Sequence, residues 1–272
     1  MEQVIDRAHP KTENAEPSPR PFPGIPGEGA DERVTWSACQ SPSSRLRTLL
    51  EPLVNSDTSH LLSLLEPLYS AVVADVLDTL GYRQQVLASN VRSLTPVSRL
   101  CGVVYPVRAI AVQEIAQHPY ALEIAAVEAM QRGDVLVVDA GDDRTCGLWG
   151  ELLTAACRYK GVRGVVMTAC TRDLWKIKEL SFPVFGIGYH PADSKGRVDF
   201  VSIGEPICIS GVRAKRGDLI VGDEDGVVII PSEVASEAIR LAGEKVAGEN
   251  LARRDLEQGV PMGEVFRKHQ IL

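Results

Sequence analysis

Gly133-Asp134-Val135-Leu136-Val137-Val138, followed by Asp139-Ala140-Gly141-Asp142-Asp143 and then by Trp149-Gly150-Glu151-Leu152-Leu153, decides how this chain folds. The short apolar run predicts a buried strand, and the Gly and Asp residues behind it predict a turn. Leu148, Leu152, Leu153, Ala156 and Cys157 then fall near helical spacing up to Tyr159, and Gly161 stands where a left-handed cap would end that helix. The pattern repeats at once. Gly164-Val165-Val166-Met167-Thr168 reads as a second buried strand, Ala169-Cys170-Thr171 as its turn, and residues 173–180 as a short helix. Strands alternating with helices in units this short imply parallel pairing, and such sheets gather their ligands at the carboxyl ends of the strands. Glu151, Arg172 and Asp173 are expected together at that edge.

The residue types there suit an anionic oxygen ligand and a hard metal. The amides of Gly150, Glu151, Leu152 and Leu153 lie at a helix start, where unpaired N–H groups and the helix dipole favour a carboxylate. Arg172 has the planar fork to clamp the same anion. Asp173 offers an oxygen ligand for Mg2+ or Mn2+, and Glu151 is placed to orient or deprotonate a water. A plainer reading stands beside this one. Arg172-Asp173 also fits a surface ion pair with Asp173 capping its own helix, and Glu151 in a first turn also compensates the dipole.

Taken together these stretches resemble one family, the class II 4-hydroxy-4-methyl-2-oxoglutarate/4-carboxy-4-hydroxy-2-oxoadipate aldolases with the regulator of RNase E activity A. Its members are often mislabelled demethylmenaquinone methyltransferases. The resemblance runs from about Leu61 to Gln258. It rests on Gly133 to Asp139, on Gly150-Glu151-Leu152-Leu153 with twenty residues between Glu151 and Arg172-Asp173, on Phe182-Pro183-Val184-Phe185, and on Gly217-Asp218 through Asp223-Glu224-Asp225-Gly226 to Pro231.

The resemblance implies an α/β fold, a layered sandwich with a central β-sheet flanked by helices and a long C-terminal helix. It also implies a metal-dependent lyase that cleaves a small 2-oxo acid through a pyruvate enolate, with oxaloacetate decarboxylation as a related activity. Arg172 would bind the pyruvyl carboxylate and keto oxygen, Asp173 the divalent cation (Mg2+ or Mn2+), Glu151 a water, and the amides of Gly150 to Leu153 the substrate. Homotrimers or homohexamers with sites at subunit boundaries are implied as well, with Glu244 or Glu249 as an acid donated by a neighbour. The chain departs from the family pattern at two places. Glu151 stands where many members have Asp, and Lys176 stands where an acid is common. A divergent biosynthetic lyase or decarboxylase, and a non-catalytic regulator on the same scaffold, are the rival readings.

Composition agrees with an enzyme. The 272 residues are 44% hydrophobic and 24% charged, enough for a full core. A net charge of -7 without a Lys/Arg cluster argues against nucleic acid as a partner. No apolar run reaches membrane-spanning length and the polar opening residues do not resemble a signal peptide, so a cytoplasmic location is expected. Cys39, Cys101, Cys146, Cys157, Cys170 and Cys208 have neither zinc-ligand nor disulfide spacing. Cys157 reads as core, and Cys146 and Cys170 as loop thiols beside the site.

Outside this centre, residues 1–44 are rich in Pro, Gly and Glu and are expected to form a disordered or extended arm, with 45–272 as a single domain. Helices are expected over 45–54, 61–80 and 120–130, strands over 101–112 and 184–187, two or three more strands over 201–228, and a long helix from Ser232 to Gln258. Asp223 to Gly226 reads as a tight turn rather than a calcium loop. His190, in a loop beside Pro191 after the strand-like run 184–187, reads as a structural hydrogen-bonding residue, with a place at the same sheet edge as the alternative.

Overall fold

A computed structural model describes residues 56–271. The predicted arm over 1–44, the helix over 45–54 and Cys39 lie outside the described residues. Helices α1 (Ser56–Leu65) and α2 (Ser70–Thr79) lead to a short strand β1 (Arg92–Ser93) and the long β2 (Leu100–Ala111). Then follow α3 (Ala121–Ala129), β3 (Asp134–Trp149), α4 (Glu151–Lys160), β4 (Gly164–Thr171), α5 (Leu174–Glu179), β5 (Val184–Gly186) and β6 (Gly188–Tyr189). The chain continues through β7 (Val198–Ile203), β8 (Ile207–Ile209), β9 (Val212–Ala214), β10 (Leu219–Gly222) and β11 (Val227–Ile230). It closes with α6 (Ala235–Glu257) and α7 (Met262–His269).

The main sheet runs β1-β5-β4-β3-β2-β10-β11, with β7 added to the far end of β2 and β6 to the far end of β4. β2, β3, β4 and β5 pair in parallel, as the strand-helix alternation predicts. β2 changes partner along its length, pairing with β10 through residues 100–103 and with β7 through residues 107–111, both antiparallel.

Alternation along the strands sorts the core into an inner and an outer face. Val104, Val135, Val137, Val166, Phe185, Ile220 and Ile229 point inward, where the sheet nearly closes on itself and the β8–β9 hairpin fills the space. Tyr105, Val107, Leu136 and Val138 point outward beneath α3, α4 and α5. Val103, Leu219, Val221, Val228 and Ile230 point outward beneath α1, α2 and α6. The α/β class and flanking helices match the expected sandwich; α1 to α6 cover the outer face. Each fully buried Val, Leu or Ile here contributes roughly 1.5–3 kcal/mol relative to exposure.

Several boundaries differ from expectation, each for a local reason. The predicted helix over 61–80 is two helices bent by 113°. Pro67 cannot donate to a helical ladder, and Arg99 satisfies the carbonyls of Glu66 and Leu68 that the break exposes (3.0 and 2.8 Å). Asp223, in the turn between β10 and β11, accepts from both the amide and the hydroxyl of Ser70 at 2.6 Å and so caps α2. The turn predicted at Asp223 to Gly226 is present, closed by the Asp223 amide on the Gly226 carbonyl. Ser232 does not start the last long helix. Its amide donates to Asp218, and α6 begins at Ala235. Gly259 at φ 84° and Pro261 end α6, and α7 follows, a helix the sequence reading did not anticipate.

Both Gly-Asp pairs in the family resemblance share one geometry. Gly133 and Gly217 have φ of 92° and 93°, and the following aspartates accept the amide three residues back: Gln131 to Asp134 at 2.8 Å, Lys215 to Asp218 at 2.9 Å. They are turns at the entry of β3 and β10. Gly102 in β2 shows how closely those turns approach the sheet. A Cβ there would lie 2.6 Å from the Gly133 carbonyl oxygen and 2.6 Å from Val135 Cγ2. Gly102→Ala is expected to destabilise the protein by about 1–3 kcal/mol. Urea unfolding measures it, and an unchanged midpoint would contradict this packing.

Candidate active site

β3 and β4 do not end where their composition suggests. Past Val138 the predicted turn is present as a kink inside β3, with Gly141 and Asp142 left-handed (φ 63° and 60°), while Ala169, Cys170 and Thr171 stay extended at the end of β4. Between the pairs Val138↔Met167 and Trp149↔Thr171, β3 spends eleven residues against four in β4. The surplus is taken up by register shifts. The result is that Trp149 lies beside Thr171. The Trp149 carbonyl accepts from the Arg172 amide and from the Thr171 hydroxyl, both at 2.8 Å. The buried Trp149 indole donates to the Thr154 hydroxyl at 2.8 Å, which in turn donates to the Gly150 carbonyl at 2.9 Å. The start of α4 is thereby fixed against Arg172.

Glu151, Arg172 and Asp173 meet as expected. Gly150 is the N-cap of α4, with Glu151 in its first turn, and Gly161 ends the helix at φ 79°. Asp173 sits at the N-cap of α5 in a left-handed conformation (φ 55°) but makes no side-chain bond to its own helix. Its Oδ2 lies 3.3 Å from the Glu151 amide and 3.7 Å from Arg172 Nε. Asp173 therefore takes one of the four α4 amides expected to be free for a ligand. Gly150 makes room for this. A Cβ there would lie 2.8 Å from Asp173 Oδ2.

Four further residues complete the site, and sequence reasoning missed them. Arg172 Nη1 pairs with Asp193 Oδ1 at 3.2 Å, and the other oxygen of Asp193 accepts from the Tyr120 hydroxyl. Burial pushes the Asp193 carboxyl up, but the Tyr120 hydroxyl, Arg172 and the amides of Ser194 and Lys195 outweigh that and hold it below the ordinary range. The Tyr120 hydroxyl is pushed up to about 12, first by its bond to Asp193 and then by burial. Glu123, buried in the first turn of α3, is pushed up to about 7 by burial, with the charges of Asp199 and Asp193 adding to it. The Ser194 hydroxyl lies 3.4 Å from its Oε1. The loop carrying Asp193 and Ser194 is pinned by the Gly147 amide on the Ala192 carbonyl (2.8 Å), an approach that a Cβ at Gly147 would block by striking the His190 carbonyl. The bare glycine two residues before Trp149 was the available signal for that approach.

These side chains and the α4 start line a cavity of about 380 Å³, including Leu152 and Leu153. Its polar groups are carboxylates, a guanidinium, hydroxyls and amides, with no thiol or imidazole, a donor set suited to a hard cation rather than a soft one. Among the described residues no group of three His, Cys, Asp or Glu is placed to hold a metal. Of the carboxylates here Asp173 would be the residue to hold such a cation, which keeps several waters when one protein carboxylate binds it.

Other sequence candidates fall outside the cavity wall. Lys176 is exposed on α5, its ammonium 5.3 Å from the Trp175 ring, so it does not reverse the charge of the site. His190 accepts the Ala192 amide through Nδ1 at 3.1 Å, the structural role expected of it. Cys146 and Cys170 are buried strand residues, not loop thiols, and burial pushes Cys146 up to about 11, which keeps it protonated. Glu244 pairs with Arg240, and Glu249 accepts from the Tyr69 hydroxyl.

Glu123 gives a stability test. A carboxyl raised from 4.5 to about 7 contributes fully below the unfolded value and loses that contribution as pH rises through the folded one. Glu123→Gln is therefore expected to gain on the wild type between about pH 4.5 and pH 7, by up to about 3 kcal/mol, with no further gain above. Denaturant unfolding across that pH range measures it, and a pH-independent difference would contradict the burial.

Comparison with known proteins places the scaffold. The RraA-like family Aldolase/RraA matches residues 70–229. The Legionella pneumophila protein DlpA is 30% identical over 224 residues, 79% of this chain but 34% of that protein, so this chain spans about a third of it. A Halalkalibacterium halodurans protein named "Putative 4-hydroxy-4-methyl-2-oxoglutarate aldolase" is 31% identical over 188 residues, 69% of this chain and 84% of the relative. Among solved structures, Streptomyces coelicolor RraAS2, described as an unusual member of the RNase ES inhibitor RraA protein family, superposes with a TM-score of 0.66 at 28% identity. The match covers 72% of this chain and 97% of RraAS2. With its fold and its Gly150-Glu151 and Arg172-Asp173 elements in place, this chain belongs to the Aldolase/RraA family.

Proposed function

We propose that the protein is a divalent-metal-dependent carbon–carbon lyase that cleaves a small 2-oxo acid to release pyruvate, of the 4-hydroxy-4-methyl-2-oxoglutarate aldolase or oxaloacetate decarboxylase type. The observation that carries this reading is the joint seating of Arg172 and Asp173 against the start of α4 in one cavity. Arg172 is held from two sides, by Asp193 at Nη1 and by Asp173 near Nε, which leaves Nη2 for the carboxylate of a 2-oxo acid. The amides of Leu152 and Leu153 in the first turn of α4 add positive potential for the same anion. Glu151, beside them, orients a water. A bound Mg2+ or Mn2+ at Asp173 would supply Lewis-acid polarisation of the keto oxygen. Arg172 then offsets the charge that develops on that oxygen.

The regulator reading draws on the likeness to RraAS2, a protein described by its relation to an RNase inhibitor family. An interaction surface alone gives no reason to hold Arg172 between two carboxylates inside a cavity. The divergent biosynthetic reading draws on Lys176, which lies outside that cavity, and on the N-terminal arm, which lies outside the described residues.

The proposed working form is a homotrimer or homohexamer in the cytoplasm. Its support is the apolar surface beside the site: Leu152, Trp175 and Tyr189 are 78%, 65% and 62% exposed, and Tyr189 pairs with Thr171 next to Arg172. Among the described residues no single helix is long and apolar enough to cross a membrane. Light scattering on Trp175→Glu is expected to show a smaller assembly than the wild type; an unchanged mass would remove Trp175 from the boundary.

The test of activity is pyruvate release from oxaloacetate and from 4-hydroxy-4-methyl-2-oxoglutarate with Mg2+, with Mn2+ and with EDTA. Metal-dependent release is expected, abolished in Asp173→Ala with folding retained. Arg172→Lys keeps the charge but loses the planar fork, and a fall of about 100-fold in kcat/KM is expected. Turnover in Asp173→Ala equal to the wild type would sink the site assignment.

A further inference from the structure

Four acids line the cavity, and the reading above gives tasks to three of them: Glu151, Asp173 and Asp193. Glu123 is left over, and its setting is unusual for an acid. The residue is 5% exposed, and no Lys or Arg among the described residues forms an ion pair with it. Burying a carboxyl without a cation is costly, so such a group is retained where its neutral form or its change of charge is used. Glu123 also borders a second, smaller cavity of about 160 Å³ lined by His118, Asp199 and Phe200. Its carboxyl is on the side of the main site, because Ser194, which meets Oε1, lines the main cavity and not the smaller one.

Resting on the lyase reading, we propose that Glu123 is a catalytic residue, the proton carrier of this site. Ionised Glu123 takes the proton of the substrate hydroxyl as the carbon–carbon bond breaks. That oxygen becomes a carbonyl, and the bond's electron pair passes to the pyruvyl fragment as its enolate. Glu123, now neutral, returns the same proton to the terminal enolate carbon. Pyruvate leaves and the carboxylate is regenerated, with one proton moved and no other reactant consumed. A carrier that must both take and give a proton works best with a pKa close to the working pH. The surroundings hold Glu123 there: burial, with Asp199 on β7 and Asp193 on the adjoining loop, raises it toward about 7, while Ser194 and Arg172 oppose them. Tyr120 and His118 complete the polar groups around it. Glu123, Ser194 and Arg172 line one and the same cavity, the one in which Arg172 binds the pyruvyl fragment.

The test uses the full chain with Mg2+ and the variant Glu123→Gln, which keeps the shape and the Ser194 contact. Three quantities are read: cleavage of 4-hydroxy-4-methyl-2-oxoglutarate against pH, exchange of pyruvate methyl protons for deuterium in D2O by NMR, and oxalate binding by calorimetry. Glu123→Gln is expected to lose about 100-fold or more in cleavage and exchange, to bind oxalate as the wild type does, and to lose the rise in kcat through about pH 7. Wild-type rates in Glu123→Gln would overturn the proposal while leaving the lyase intact. Loss of oxalate binding together with activity would also overturn it, assigning Glu123 to the architecture of the site. A wild type that neither cleaves nor exchanges would instead remove the lyase reading, and this inference with it.

Discussion

The carbonyl of Trp149 accepts two hydrogen bonds, from the Arg172 amide and the Thr171 hydroxyl, and the rest of the site hangs from that point. They join the ends of two parallel strands whose lengths do not match, and they set the start of α4 against the Arg172-Asp173 pair. Without them Asp173 would have no reason to face the Glu151 amide, and Arg172 would not stand between two carboxylates. The indole of Trp149, tied to Thr154 in α4, carries the same constraint into the helix, so backbone and side chain of one residue align strand, helix and loop.

Charge then organises the cavity that this alignment creates. Among the described residues Arg172 is the single Lys or Arg in the cavity wall, which it shares with Asp173, Asp193, Glu123 and Glu151. An anionic ligand entering this space meets one oriented guanidinium and the positive end of α4. The acids take different protonation behaviour from different surroundings. Asp193, bonded by Tyr120 and Arg172, stays ionised, while Glu123, buried without a cation, titrates near neutrality.

Much of this was legible in the sequence because local rules and the global fold agree there. The Val and Leu runs at 135–138 and 164–168 are buried in parallel pairing, which accepts continuous apolar stretches. Gly161 is the helix end that its position suggested. What misled was composition standing in for pairing. Asp139 to Asp143 does turn, at Gly141 and Asp142, but Asp143 pairs with Ala169 beyond the turn and β3 resumes where composition alone would have ended it. The apolar spacing over 61–80 continues unbroken through Pro67, so the period concealed the bend that the missing N–H enforces. Glu151, Arg172 and Asp173 were readable because they sit at element ends. Tyr120, Glu123 and Asp193 reach the site only through the docking of α3 and of the loop after β6, and contacts so distant along the chain leave no local pattern.

The register slip between β3 and β4 also separates two tasks that strands usually share. Residues 139–146 are slack between two fixed points: Val138 against Met167 on one side, Trp149 against Thr171 on the other. Chain length in this stretch can change during evolution without moving either anchor, since an inserted or lost residue alters only how far the slack bows out. Strand length and site geometry are thereby uncoupled: the seating of Trp149 against Arg172 does not depend on how many residues separate it from Val138.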